Sequence, residues 1–189
     1  IGGFAWKPEM ISLIKNEKKD KIIWLDSACS FNWKIIFFLL LVLENGFASF
    51  NSSGVIKKWT HHNVIKDLSI KTEKNLLNSP NLLAGVVGFN FKKKEATDLL
   101  NSWNSLASRK ELIFPQNSNS SNHRHDQSLL SICYWRTTNR KLPSNHQLFG
   151  ITIQNWPNKI LFFFDGKGII IEKLMKKYYF QSTTTNNRC

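Results

Sequence analysis

The stretch Lys21-Ile22-Ile23-Trp24-Leu25-Asp26-Ser27-Ala28 constrains the fold of this chain more than any other. It is a short apolar run, rich in β-branched and aromatic residues, that stops at a carboxylate. Such a run reads as a strand buried on both faces. A carboxylate at its C-terminal end falls where open α/β sheets place their ligands, in the crevice beyond the strand ends. An unpaired carboxylate is costly to bury. Asp26 therefore calls for a partner: a helix N-terminus, a cation or a metal ion.

The elements around this strand follow from periodicity. Pro8 suits the first turn of a helix, where its missing N–H costs nothing, and Met10, Ile11, Leu13 and Ile14 supply an apolar face. After a loop carrying Cys29, a second helix is predicted over Asn32 to Glu44. It is apolar nearly all round and so expected to be buried, and Asn45-Gly46 ends it. Phe47 to Phe50 and Val55 to Trp59 read as short strands joined by a polar turn. Thr60 is the expected N-cap of a short helix running through Leu68, and Asn75 to Asn81 reads as loop. Leu82 to Phe89 is the second strong strand, with glycines where a backbone or ligand approaches closely.

Lys92 to Ser108 carries the clearest helical spacing, with Ala96, Leu99, Leu100, Trp103, Leu106 and Ala107 on one face. An Asn/Ser-rich loop over residues 116–122 precedes His123-Arg124-His125-Asp126-Gln127, which opens a further helix. Lys159 to Ile171 reads as a β-hairpin. Strands alternating with helices give an α/β domain. Its core is expected over 1–137, with the remainder of the same domain and the hairpin over 138–180 and a disordered tail over 181–189. Gly2 to Trp6 runs straight into a helix start with no anchoring strand, the pattern of a fold lacking its front end.

Of 189 residues, 42% are hydrophobic, enough for one real core. The net charge is +13, which raises a nucleic-acid partner. The cations, however, come as scattered doublets and triplets such as Lys57-Lys58 and Lys92-Lys93-Lys94, so nucleic acid is the disfavoured partner. Cys29, Cys133 and Cys189 show no metal spacing. The run Ile35 to Leu43 is too short to span a bilayer, so a membrane anchor is expected only if encoded upstream. Two acceptor sequons, at Asn51 and Asn119, fit a secretory lumen.

As a metal ligand Asp26 needs further oxygen or imidazole donors, and the cluster His123/His125/Asp126 is the candidate supplier, with His123 joining Asp26. The alternative is that Asp126 caps a helix and the histidines are solvated loop residues. Trp59-Thr60-His61-His62 is the second polar-aromatic cluster. A Trp beside a hydroxyl and an imidazole suits a sugar face or a nucleobase, or else it is a core Trp.

Several of these blocks resemble a family of nucleotide-diphospho-sugar transferase-like proteins. Gly3-Phe4-Ala5-Trp6-Lys7-Pro8 and Ile23-Trp24-Leu25-Asp26-Ser27 are similar to its Trp-Lys-Pro and Trp-Leu-Asp blocks. Ser52 to His61, Ala84 to Phe89 and Asn122 to Ser128 follow in the family's order. The resemblance runs from about Gly2 to about Ile132. It implies a three-layer α/β/α sandwich of the GT-A glycosyltransferase type, incomplete at the N-terminus, that transfers sugar from a nucleotide-diphosphate donor to a glycan or glycoprotein in the Golgi or ER lumen.

The resemblance further implies a divalent cation, Mn2+ or Mg2+, at Asp26, acting on the diphosphate leaving group. The usual Asp-x-Asp pair reads Asp26-Ser27-Ala28 here. Asp126 and Gln127 correspond to a catalytic acidic site near donor sugar and acceptor. Lys7 would offset diphosphate charge, and Trp59, Thr60, His61 and Arg124 would bind substrate. Two rival readings stand beside it: a non-catalytic relative that binds glycans or has a structural role, and a basic nucleic-acid-binding protein.

Overall fold

A computed structural model describes residues 4–17 and 19–153. The expected hairpin over 159–171, the tail and Cys189 lie outside the described residues. The chain forms a mixed α/β fold. Strands β1 (Lys21–Leu25), β6 (Val86–Asn90) and β3 (Phe47–Ala48) make a sheet in the order β1-β6-β3. Every described pairing is antiparallel, including Leu25 opposite Val86 and Phe47 opposite Phe89.

Alternation along the strands sends side chains into two cores. Ile22 and Trp24 of β1, with Val87 and Phe89 of β6, join a large cluster. It is filled by Ile11 of α1 (Trp6–Asn16), by Leu99, Leu100 and Trp103 of α6 (Lys94–Ala107), and by Leu129, Leu130 and Ile132 of α8 (Asp126–Thr137). Leu25 and Val86 point the other way and meet Phe38 and Val42 of α2 (Ile35–Asn45). The period of two thus covers both faces of the sheet with helix.

Helix α2 is where the all-round apolar pattern misleads. Phe38 and Val42 are buried, but Ile36, Phe37, Leu40 and Leu43 are exposed, along with Trp33 before it. One helix face packs on the sheet; nothing among the described residues covers the other. No described helix is long and apolar enough to cross a membrane.

Further expectations change. The polar turn expected after Phe50 is instead strand β4 (Asn51–Val55), and the stretch read as a strand over Val55 to Trp59 is mostly the short helix α3 (Ile56–Trp59). The next helix, α4 (His62–Asp67), is capped by His61 rather than Thr60: the His61 Nδ1 accepts from the Asn63 N–H at 3.3 Å. The segment read as loop over Asn75 to Asn81 holds most of α5 (Lys74–Asn78) and of β5 (Pro80–Leu82), which pairs with β4. The strand expected over Leu82 to Phe89 is interrupted: Leu82 ends β5 and β6 begins at Val86. The loop carrying Cys29 contains β2 (Cys29–Phe31), paired with β7 (Ile151–Ile153). A short helix, α7 (Lys110–Ile113), lies between α6 and the loop that leads to α8.

Candidate functional site

At the end of β1 the backbone turns away from the sheet while remaining tied to it. The Asp26 N–H donates to the Gly85 carbonyl at 2.8 Å, and the Cys29 N–H returns to the Asp26 carbonyl at 2.8 Å. Gly85 is what lets the carboxylate lie close. A Cβ there would stand 3.0 Å from Asp26 Oδ2, tight enough to displace it. The Trp24 indole donates to Asp26 Oδ1 at 2.7 Å and fixes the carboxylate from the strand side.

The partner that Asp26 requires is Lys7. This lysine sits in the first turn of α1, on the face that also buries Pro8 and Ile11, and is only 2% exposed. Its Nζ lies 3.1 Å from Asp26 Oδ1, 3.1 Å from Asp126 Oδ2 and 3.1 Å from the Ala84 carbonyl. A buried ammonium is tolerated only when its charge and its donors are met. Here Nζ donates to Asp26 Oδ2 at 3.2 Å and to the Ala84 carbonyl, and Asp126 adds a second ion pair. Burial alone would lower the Lys7 pKa, but Asp126 and then Asp26 more than offset that and hold it above the ordinary lysine value.

Asp126 opens α8, and Trp103 of α6 anchors that opening by donating its indole N–H to the Asp126 carbonyl at 3.0 Å. Burial raises the Asp126 pKa, with Lys7 acting in the opposite direction. With all three side chains ionised the triad carries one excess negative charge, so Asp126 is the group on which a proton would restore balance. The two carboxylates differ in access: the Asp26 side chain is 38% exposed and that of Asp126 is 5% exposed.

Above the triad lies a cavity of about 280 Å³, lined by Asp26, Gly85, Arg124, His125, Asp126 and Gln127 among others. His125 precedes α8 with φ +47°, a backbone conformation rarely adopted by a residue with a Cβ and often found at functional sites. Its ring stacks on Phe114 with centroids 5.3 Å apart, and Nδ1 pairs with the Ile113 carbonyl at 3.0 Å. A carbonyl can only accept, so Nδ1 carries a proton, and in the neutral ring Nε2 is the acceptor.

The structure brings Lys7, Asp26, His123, Arg124, Asp126 and Gln127 to this cavity but gives some of them other work. Both ring nitrogens of His123 are committed: Nδ1 accepts from the His61 N–H at 3.3 Å and Nε2 pairs with the Leu112 carbonyl at 3.0 Å. Burial, then neighbouring His125, push its pKa down to about 4, so it is a neutral brace between loops. Arg124 lies over the Trp59 ring, 4.0 Å from its centroid, which occupies the aromatic surface expected to receive sugar. Trp59, Thr60 and His61 do not line the cavity; Thr60 and His61 are buried behind it. Of the two sequons, Asn51 uses its amide to hold the Leu142 carbonyl at 2.8 Å, whereas Asn119 is exposed.

A divalent cation does not fit these residues as they stand. The Lys7 ammonium takes the point shared by the two carboxylates, and His123 has no uncommitted nitrogen. Among the described residues, no group of three or more His, Cys, Asp or Glu side chains could hold a metal ion. The close approach expected at the glycines of the Leu82 to Phe89 stretch is met at Gly85. The sequence reading overlooked Trp24, whose indole reaches the carboxylate two residues along the chain, and the Ala84 carbonyl, which meets Lys7 from a distant part of the chain. Comparisons with family models, curated proteins and solved structures find no match to this chain.

Proposed function

We propose that the cavity over Lys7 holds the sugar end of a nucleotide-diphosphate donor, and that the chain is part of a glycosyltransferase-like protein of GT-A type. The observation that carries this reading is the triad itself. A strand-end carboxylate and a helix-start carboxylate are pinned on one buried ammonium beneath an open cavity. Asp26, fixed by Trp24 and Lys7 and partly exposed, is suited to accept hydrogen bonds from sugar hydroxyls. Arg124, braced on Trp59, offers a guanidinium for phosphate oxygens, while the His125 Nε2 lone pair is a candidate acceptor for a hydroxyl proton. Asp126 acts from beneath through Lys7 by balancing the charge of the group above.

A second reading, a glycan-binding relative without transfer, is favoured by the position of Lys7, which takes the place a catalytic cation would need. Calorimetric titration of UDP- and GDP-sugars, with and without manganese, and of simple oligosaccharides separates the two. Donor binding lost in Asp26→Asn supports the transferase reading, and its persistence without manganese identifies Lys7 as the operative cation. Binding of oligosaccharide but of no nucleotide sugar supports the second reading. A folded protein that binds neither overturns both.

A further inference from the structure

A second concavity, of about 630 Å³, shares no lining residue with the first. It lies among α3, α4 and α5 and is built from their helical spacing. His62, Ile65 and Lys66 fall three or four residues apart on α4, and Lys74, Leu77 and Asn78 do so on α5. Each trio therefore forms one helix face, with Lys57 of α3 and Lys71 of the intervening turn completing the wall. Leu77 is buried and Ile65 half-buried, so the cleft has an apolar floor beneath a cationic rim.

The rim is unbalanced. Among the described residues, no Asp or Glu lines the cleft. Of the acids beside it in sequence, Glu73 is engaged by Arg136 at 2.8 Å, and Asp67, next to Lys66 at the end of α4, does not line the cleft. Lys57, Lys66, Lys71 and Lys74 have no carboxylate partner among the described residues, whereas Lys92 and Lys94 elsewhere pair with Asp20 and Asp98. Like charges facing one concavity with low-dielectric walls focus a positive potential there. That potential destabilises the free protein slightly and attracts an anion able to meet several ammoniums at once.

We propose that this cleft binds a compact polyanion carrying two or more phosphate or sulfate groups. Concavity and size favour a small ligand over a duplex: the volume lies within the range of small-molecule sites, while nucleic-acid surfaces are extended cationic stripes that follow a backbone. The apolar floor accepts the carbon skeleton, and the four lysines and Asn78 accept the anionic groups. The assignment stands apart from the first cavity and survives if that reading fails.

The test uses the full chain, with inositol hexakisphosphate, a heparin-derived disulfated disaccharide and a short single-stranded RNA as probes. The site variant is the triple Lys66→Ser, Lys71→Ser, Lys74→Ser. The control triple, Lys21→Ser, Lys110→Ser, Lys141→Ser, removes the same charge from exposed positions outside the cleft. The expected result is binding of a compact probe that falls by about tenfold or more in the site triple and by less than about threefold in the control. Preference between the phosphate and sulfate probes then identifies the source. Equal losses in both triples, binding of RNA in preference to both compact probes, or no binding of either compact probe would overturn the proposal.

Discussion

Lys7 Nζ and Asp126 Oδ2 lie 3.1 Å apart with their side chains 2% and 5% exposed, so the start of α1 and the start of α8 meet through a buried ion pair. Removing one partner of such a pair strands the other. Lys7→Met leaves two carboxylates facing each other and is expected to cost about 3–5 kcal/mol in urea unfolding. In Asp126→Asn, Lys7 still has Asp26, so the loss is smaller. The double variant Lys7→Met/Asp126→Asn is expected to fall short of the sum by about 1–3 kcal/mol. Strict additivity would show that the two side chains do not interact.

His123 gives the stability a pH dependence of defined sign. Its folded-state pKa is pushed from the ordinary 6.5 down to about 4. Protonation would require Nδ1 to give up the His61 N–H it accepts. Between these two values the unfolded chain binds more protons than the folded one, so stability falls as pH drops through the window. The loss from this group is expected to reach about 2.5 kcal/mol at about pH 4.5 relative to neutral pH. His123→Gln cannot titrate and should flatten this part of the profile. Identical slopes in the two proteins would assign the effect elsewhere.

How much of this was legible in the sequence depends on whether the signal was local. Strands β1 and β6 and helices α1, α6 and α8 follow from runs and spacing that the chain carries within one element. So did the need of Asp26 for a partner, because a carboxylate ending an apolar strand must be compensated wherever it sits. The identity of that partner was not local: Lys7 reaches Asp26 only once α1 packs beside the sheet, and a lysine before Pro8 gives no sign that it will be buried. Trp59 illustrates the converse. Beside Thr60 and His61 it looked like a ligand platform, but Arg124, distant in sequence, covers it. The exposed side of α2 was hidden because composition records apolarity and not which face a neighbour reaches.

Gly88 is the residue that sets the distance between β6 and α2. A Cβ there would lie 2.2 Å from Val42 Cγ2 and 3.2 Å from Phe38 Cε1, and both neighbours are buried. Gly88→Ala is expected to cost about 1–3 kcal/mol by overpacking. Val42→Ala removes the clashing methyl and should recover part of that loss in the double variant, despite its own cost in the parent. Thermal unfolding of the four proteins checks this; no recovery would mean that the strand needs glycine for another reason.

Trp103 links the core to the candidate site, and its two contributions can be separated. The side chain is fully buried among α6 and α8, while its indole N–H donates to the Asp126 carbonyl at 3.0 Å. Trp103→Ala removes both and is expected to cost about 3–5 kcal/mol. Trp103→Phe keeps much of the packing and loses the hydrogen bond, for which about 1 kcal/mol is the usual contribution. Because that bond holds the first turn of α8, Trp103→Phe should also raise amide exchange at residues 126–130 above that of the rest of the helix. A uniform increase along α8 would make Trp103 a packing residue alone. A loss below about 1 kcal/mol in Trp103→Ala would remove this helix face from the core. In either case the position of Asp126 would have to be set by Lys7 and the strained His125 before it.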